Sequence, residues 1–217
     1  NMQPGQDTIY YISGDDNAAL ATHPQLEKFQ EKEIDVLLFT DAVDNFWVNV
    51  INKFKETNLK SVTRTNIDLD KINPEKNSGT NKKDKAIEIS DKNKTKLVQY
   101  FKDTLKDVVK DVRISKKLSN TPACLTVDEG SIDIRMEKFL IEQKQLKSAS
   151  MKILEINADH PIIKNILKNI REDKIDEFTN IVAKMVFEQA CIVEGEGVID
   201  PLGFSKKLSE IIMKAYN

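Results

Sequence analysis

The chain has 217 residues, 40% of them apolar, enough to fill two small cores. Lysine and arginine (33) nearly balance aspartate and glutamate (35), so the net charge of −2 speaks against nucleic acid or an anionic membrane as partner. No run of about 18 apolar residues occurs. Cys124 and Cys191 sit in apolar runs without metal-ligand spacing, which points to buried thiols in a reducing, cytoplasmic compartment, with a disulfide between them left open.

The opening NMQPGQ leads directly into a strand-like TIYYI, as expected of a fragment of a longer protein. Residues 8–12 and 34–39 read as strands, the second almost continuously apolar, like a parallel strand covered on both faces. Between them residues 17–32 have helical character, interrupted at His23-Pro24, where proline suits the first turn of a new helix. Asp41 can cap a following helix on which Val43, Phe46, Trp47, Val50, Ile51 and Phe54 recur at three and four.

Residues 71–94, KINPEKNSGTNKKDKAIEISDKNK, are rich in lysine and asparagine and poor in aromatic anchors, so they read as a solvated linker between 1–70 and 95–217. Beyond it come a helix over 95–106, strands over 108–114 and 123–127, a helix over 131–146 and a strand over 152–156. Three helices follow, beginning near Pro161, Ile175 and Pro201. The fold class is therefore α/β followed by α+β.

Little of the chain points to catalysis. Its seven glycines form no phosphate-binding loop. Asp15, Asp16 and Asp41 fall at the carboxyl ends of predicted strands, where a metal-dependent α/β enzyme would put its site, although turn and cap roles also account for them and no third strand with a matching lysine or acid is evident. His23 and His160 each precede a proline at a predicted helix start, where capping suffices, and Cys124 reads as a core thiol. No catalytic residue and no metal ligand is assigned.

Surfaces remain. Phe46 and Trp47 add more aromatic bulk than one buried stripe needs, and Ile132, Met136, Phe139 and Leu140 fall at i, i+4, i+7 and i+8; either set can be core or a binding face. Phe178, Ile181, Val182 and Met185 on one terminal helix, and Phe204, Leu208, Ile211 and Ile212 on the other, can fold back on the domain or pair with a second copy as a four-helix bundle.

The segments IYYISGDD, IDVLLFTDAVDNFW, LKSVT, VVKDVRISKKLSNTPACLTVDEG, RMEKFL, ILEINADHPIIKNI and FEQACIVEGEGVIDPLGFSKKLSEII, in that order, resemble the end of the middle domain and the carboxyl-terminal domain of the bacterial 90-kDa heat-shock chaperones. The resemblance implies a small parallel-sheet αβα subdomain over 1–70, then a mixed α/β dimerisation domain over 95–217 whose terminal helices form an intermolecular four-helix bundle. It implies a homodimeric, ATP-dependent chaperone of the stress response that binds non-native client proteins. ATP and magnesium would belong to the full-length family, with no cofactor and no catalytic loop in these residues. Client contact is implied for Phe46, Trp47, Asn49, Ile132, Met136, Phe139 and Leu140, with isoleucine replacing one family methionine and the Leu-Phe order reversed. The dimer interface is implied for Phe178, Val182, Met185, Leu208, Ile211 and Ile212. A purely structural dimerisation module is the remaining alternative.

Overall fold

The computed structural model describes residues 2–41, 43–72 and 89–216, without the side chains of Asn45 and Asn49. The described residues of Asn1–Ala86, with Lys116–Asn120 and Thr126–Ser150, form one compact unit; those of Ile87–Ser115, Thr121–Leu125 and Met151–Asn217 form another. Most of the expected 71–94 linker, residues 73–88, lies outside the described residues.

The first unit is built on a four-stranded sheet in the order β2-β1-β4-β3, from β1 (Thr8–Ser13), β2 (Val36–Phe39), β3 (Lys53–Phe54) and β4 (Thr57–Ser61). β1 runs parallel to β2 and to β4, with Tyr10 opposite Val36 and Lys60, while β3 pairs antiparallel with β4. Alternate side chains of β1 face opposite sides of the sheet. Tyr10 and Ile12 enter a core with Leu20 of α1 (Asn17–Ala21), Leu26 of a short 3-10 turn (Pro24–Leu26) and Phe29 of α2 (Glu27–Glu31). Tyr11 meets Phe39 on the other side, and Phe39 meets Trp47 of α3 (Asp44–Val50).

Two expectations need correction here. The helix after Asp41 ends at Val50, because Ile51 turns to an extended conformation (φ −96°, ψ 93°); Phe54 therefore lies on β3, where Lys55 at φ 54° closes a tight hairpin. A third parallel strand with a lysine does exist, since β4 carries Lys60. Its sequence, TNLKS, lacks the apolar alternation that marks a strand.

Residues 116–120 are tied into this unit by buried polar contacts. Lys117 Nζ donates to the carbonyls of Val62 (2.8 Å) and Arg64 (3.1 Å) and to Gln25 Oε1 (3.3 Å). Glu27 accepts from the amides of Ser119 and Asn120, and Lys116 pairs with Asp68, whose carboxyl is held below its usual range chiefly by that hydrogen bond.

The second unit has a three-stranded sheet in the order β5-β7-β6, from β5 (Asp111–Ile114), β6 (Ala123–Thr126) and β7 (Ile153–Ile156); β5 and β7 are parallel. Every residue of β6 and β7 is buried, as expected of strands covered on both faces. α4 (Asp91–Leu105) packs on β5, on α6 (Pro161–Arg171) and on α7 (Glu177–Val193), burying Leu97, Phe101 and Leu105. α8 (Pro201–Tyr216) lies against α7. The expected caps are present: His160 Nδ1 accepts from Ile162 N ahead of Pro161, and Asp200 Oδ1 accepts from Gly203 N ahead of α8.

Candidate apolar surfaces

α3 divides its aromatic pair. Asp44 Oδ1 accepts from Trp47 Nε1 at 2.8 Å, which turns the half-buried indole toward the sheet and its edge-to-face contact with Phe39. Phe46 points elsewhere and is 45% exposed. It meets Phe139 of α5 (Ile134–Glu142), with ring centroids 5.2 Å apart and planes at 83°. The two apolar groups read separately in the sequence are thus adjacent in the first unit. The side chain of Asn49 lies outside the described residues.

α5 is anchored by polar contacts within the same unit. Asp133, itself buried, caps the helix by accepting from Arg135 N (3.0 Å) and also accepts from Thr63 Oγ1 (2.6 Å), which bonds to Ser61 Oγ (2.8 Å). Arg64 donates to the carbonyls of Asp128 and Ser131, Lys60 pairs with Glu129, and Arg135 pairs with Asp15. Burial, reinforced by the charge of Asp133, pushes the Tyr11 phenol up to about 12, so it stays a neutral hydroxyl. The inward residues of the helix are Ile134 and Glu137, the latter accepting from Ser150 N. The expected stripe is only partly helical, because α5 starts at Ile134 and Ile132 precedes its cap; Ile132 is 45% exposed, while Met136, Phe139 and Leu140 on the helix are half-buried.

The terminal helices carry a second apolar area. On α7, Phe178 and Val182 are half-buried, whereas Met185 is 4% exposed and belongs to the interior of its own unit. None of the sixteen residues of α8 is buried; Leu208 is 39% and Ile212 47% exposed, with Ile211 half-buried. α8 touches α7 through charged groups: Lys207 Nζ lies 2.8 Å from Glu188 Oε1, and Lys214 Nζ sits 3.6 Å from the centroid of the Phe178 ring.

The whole chain, residues 1–217, matches the family model described as Hsp90 protein. The chain belongs to the Hsp90 family. Its relatives include proteins named Chaperone protein HtpG. That of Rickettsia massiliae (strain Mtu5) is 47% identical over 218 residues, 99% of this chain and 34% of the relative. That of Rickettsia bellii (strain RML369-C) is 48% identical over 214 residues, with the same shares. That of Wolbachia pipientis wMel is 45% identical over 213 residues, 98% of this chain and 33% of the relative. The chain therefore spans about a third of the length of the curated relatives it matches.

In this Hsp90-family chain the three strand-end aspartates have separate local roles. Asp15 pairs with Arg135, Asp16 caps α1 by accepting from Ala19 N (2.7 Å), and the amide of Asp41 donates to Asp44. Among the described residues no three His, Cys, Asp or Glu side chains form a group suited to a metal ion. The seven glycines of the sequence form no phosphate-binding motif. No described helix is long and apolar enough to cross a membrane. His23 and His160 are caps, as their positions before proline suggest. Neither cysteine forms a disulfide and both are buried, and burial raises Cys191 to about 12. The residues that sequence reasoning missed are the polar anchors, Thr63, Asp133, Glu188 and Lys207. Only the Asp133-Ile134 boundary offered a signal, as an acidic cap before an apolar run.

Proposed function

We propose that this Hsp90-family chain is the part of an HtpG-type chaperone that pairs two protomers and offers apolar surface to non-native proteins. The observation that carries the reading is that large apolar side chains on two separate areas stay open to solvent: Phe46 and Ile132 on one, Leu208 and Ile212 on the other. Contiguous apolar surface of this kind marks protein contact. A half-exposed methionine and phenylalanine beside Phe46 can adapt to varied apolar segments, and pairing two copies doubles the sites and raises avidity. Met185 would support the pairing surface from beneath rather than form it. ATP turnover, cytoplasmic residence and client release would belong to a full-length chaperone of the HtpG type; the chain spans about a third of the length of such relatives.

Light scattering tests the pairing: the chain is expected to be a dimer that Leu208→Asp converts to a monomer, and a wild-type monomer at tens of micromolar overturns it. For client contact, Phe46→Ser with Met136→Ser is expected to lower the affinity for a permanently unfolded protein while the chain stays folded. The half-burial of Met136, Phe139 and Leu140 favours a second reading, a structural module without client contact; unchanged client affinity in that variant selects it.

A further inference from the structure

We infer that Glu188 and Lys207 are positioning residues for the pairing surface: their ion pair seats α8 on α7 so that Leu208 and Ile212 are presented to a second copy of this chain. The inference rests on the dimer reading above.

At 3.6 residues per turn, Lys207 and Lys214 are almost two turns apart and share one side of α8; Leu208 and Ile212 lie about a third of a turn round from it. The side that meets α7 carries two ammonium groups, one on the Glu188 carboxylate and one on the Phe178 ring, together with Phe204 and Ile211, which are half-buried; no apolar side chain of the helix is fully buried. Beneath the start of α8 is a cavity of about 270 Å³, with Phe187, Cys191, Ile199, Glu188 and Lys207 in its wall. Partial apolar burial and these two ammonium contacts together hold the helix on its support. Glu188 is 8% exposed, and its Oε2 atom is buried without a hydrogen-bond partner, so Lys207 supplies the neighbouring positive charge that the carboxylate requires. Removing the lysine leaves a buried anion that is relieved when α8 lifts away, carrying the apolar side chains with it. Because the pair is largely withdrawn from solvent, with side-chain exposures of 18% for Lys207 and 11% for Glu188, salt screens it little.

Sedimentation equilibrium on the chain tests this with wild type, Lys207→Met, the near-isosteric Glu188→Gln, and the exchanged pair Glu188→Lys with Lys207→Glu, each at low and high salt and each checked for folding by circular dichroism. The expected result is a dimer dissociation constant at least tenfold weaker in both single variants, recovery in the exchanged pair, and the same ranking at both salt concentrations. A wild-type dimer whose constant survives in folded Lys207→Met overturns the positioning role alone. Loss in the single variants without recovery in the exchanged pair overturns it too, since that pattern marks general damage. A wild type that is monomeric throughout overturns the dimer reading and this inference together.

Discussion

Thr63 donates its hydroxyl to Asp133 at 2.6 Å, and the same carboxylate caps α5 through the amide of Arg135. A residue just beyond β4 thereby holds the start of a helix seventy positions later in the chain. The helix that carries Met136 and Phe139, the latter against Phe46, is oriented by this buried acceptor as well as by its own packing.

Replacing Thr63 by valine keeps the shape and removes the donor. The expected loss of stability is about 1–3 kcal/mol, because the buried carboxylate keeps its desolvation cost with one partner fewer. Urea unfolding followed by circular dichroism measures it, with Thr63→Ser as the control that retains the hydroxyl.

The Phe46 and Phe139 rings should be coupled. A double-mutant cycle with Phe46→Ala and Phe139→Ala is expected to give an interaction of about 0.5–1.5 kcal/mol in unfolding experiments. Additive losses would mean that the edge-to-face contact contributes nothing beyond the separate burial of each ring.

Much of the layout behind these contacts was legible in the sequence, and the exceptions have physical causes. The strands at β1, β2, β6 and β7 and the helix starts at Pro161 and Pro201 follow from apolar runs and caps that act within a few residues. β4 escaped because TNLKS is held by pairing with β1 rather than by its own pattern, and Phe54 was drawn into α3 by periodicity although the chain had already left the helix. Spacing grouped Ile132, Met136, Phe139 and Leu140 on one helix, but α5 starts after the Asp133 cap and leaves Ile132 outside it. The inward face includes a glutamate, Glu137, whose burial depends on Ser150, and no local pattern announces that partner.

His23 should make stability depend on pH. Burial, with a smaller contribution from the charge of Lys117, lowers its pKa from 6.5 to about 4, so the folded protein holds a neutral imidazole where the unfolded chain would bind a proton. The contribution is complete above pH 6.5 and is lost as pH falls toward 4; its ceiling is about 3 kcal/mol. His23→Asn retains a capping side chain without a titrating group, so wild type should lose more stability than this variant between pH 6.5 and 4.

Neither cysteine should react readily in the folded chain. Cys124 and Cys191 are buried, and the Cys191 thiol, raised to about 12, carries almost no thiolate at neutral pH. Maleimide labelling read by mass spectrometry is expected to be slow at both positions and complete in denaturant. Lys207→Met should accelerate labelling at Cys191 and leave Cys124 unchanged, because only Cys191 borders the cavity beneath α8.

The first unit draws on Lys116–Asn120 and Thr126–Ser150 as well as on the early residues. A ribosome that has released β1 through β4 has therefore released an unfinished body: the Lys117 ammonium that satisfies the Val62 and Arg64 carbonyls, and the Asp133 carboxylate that receives Thr63, are still to be synthesised. During translation the apolar core between Tyr10 and Ile72 is therefore available before the polar contacts that complete it, which close only once Lys117 and Asp133 have left the exit tunnel.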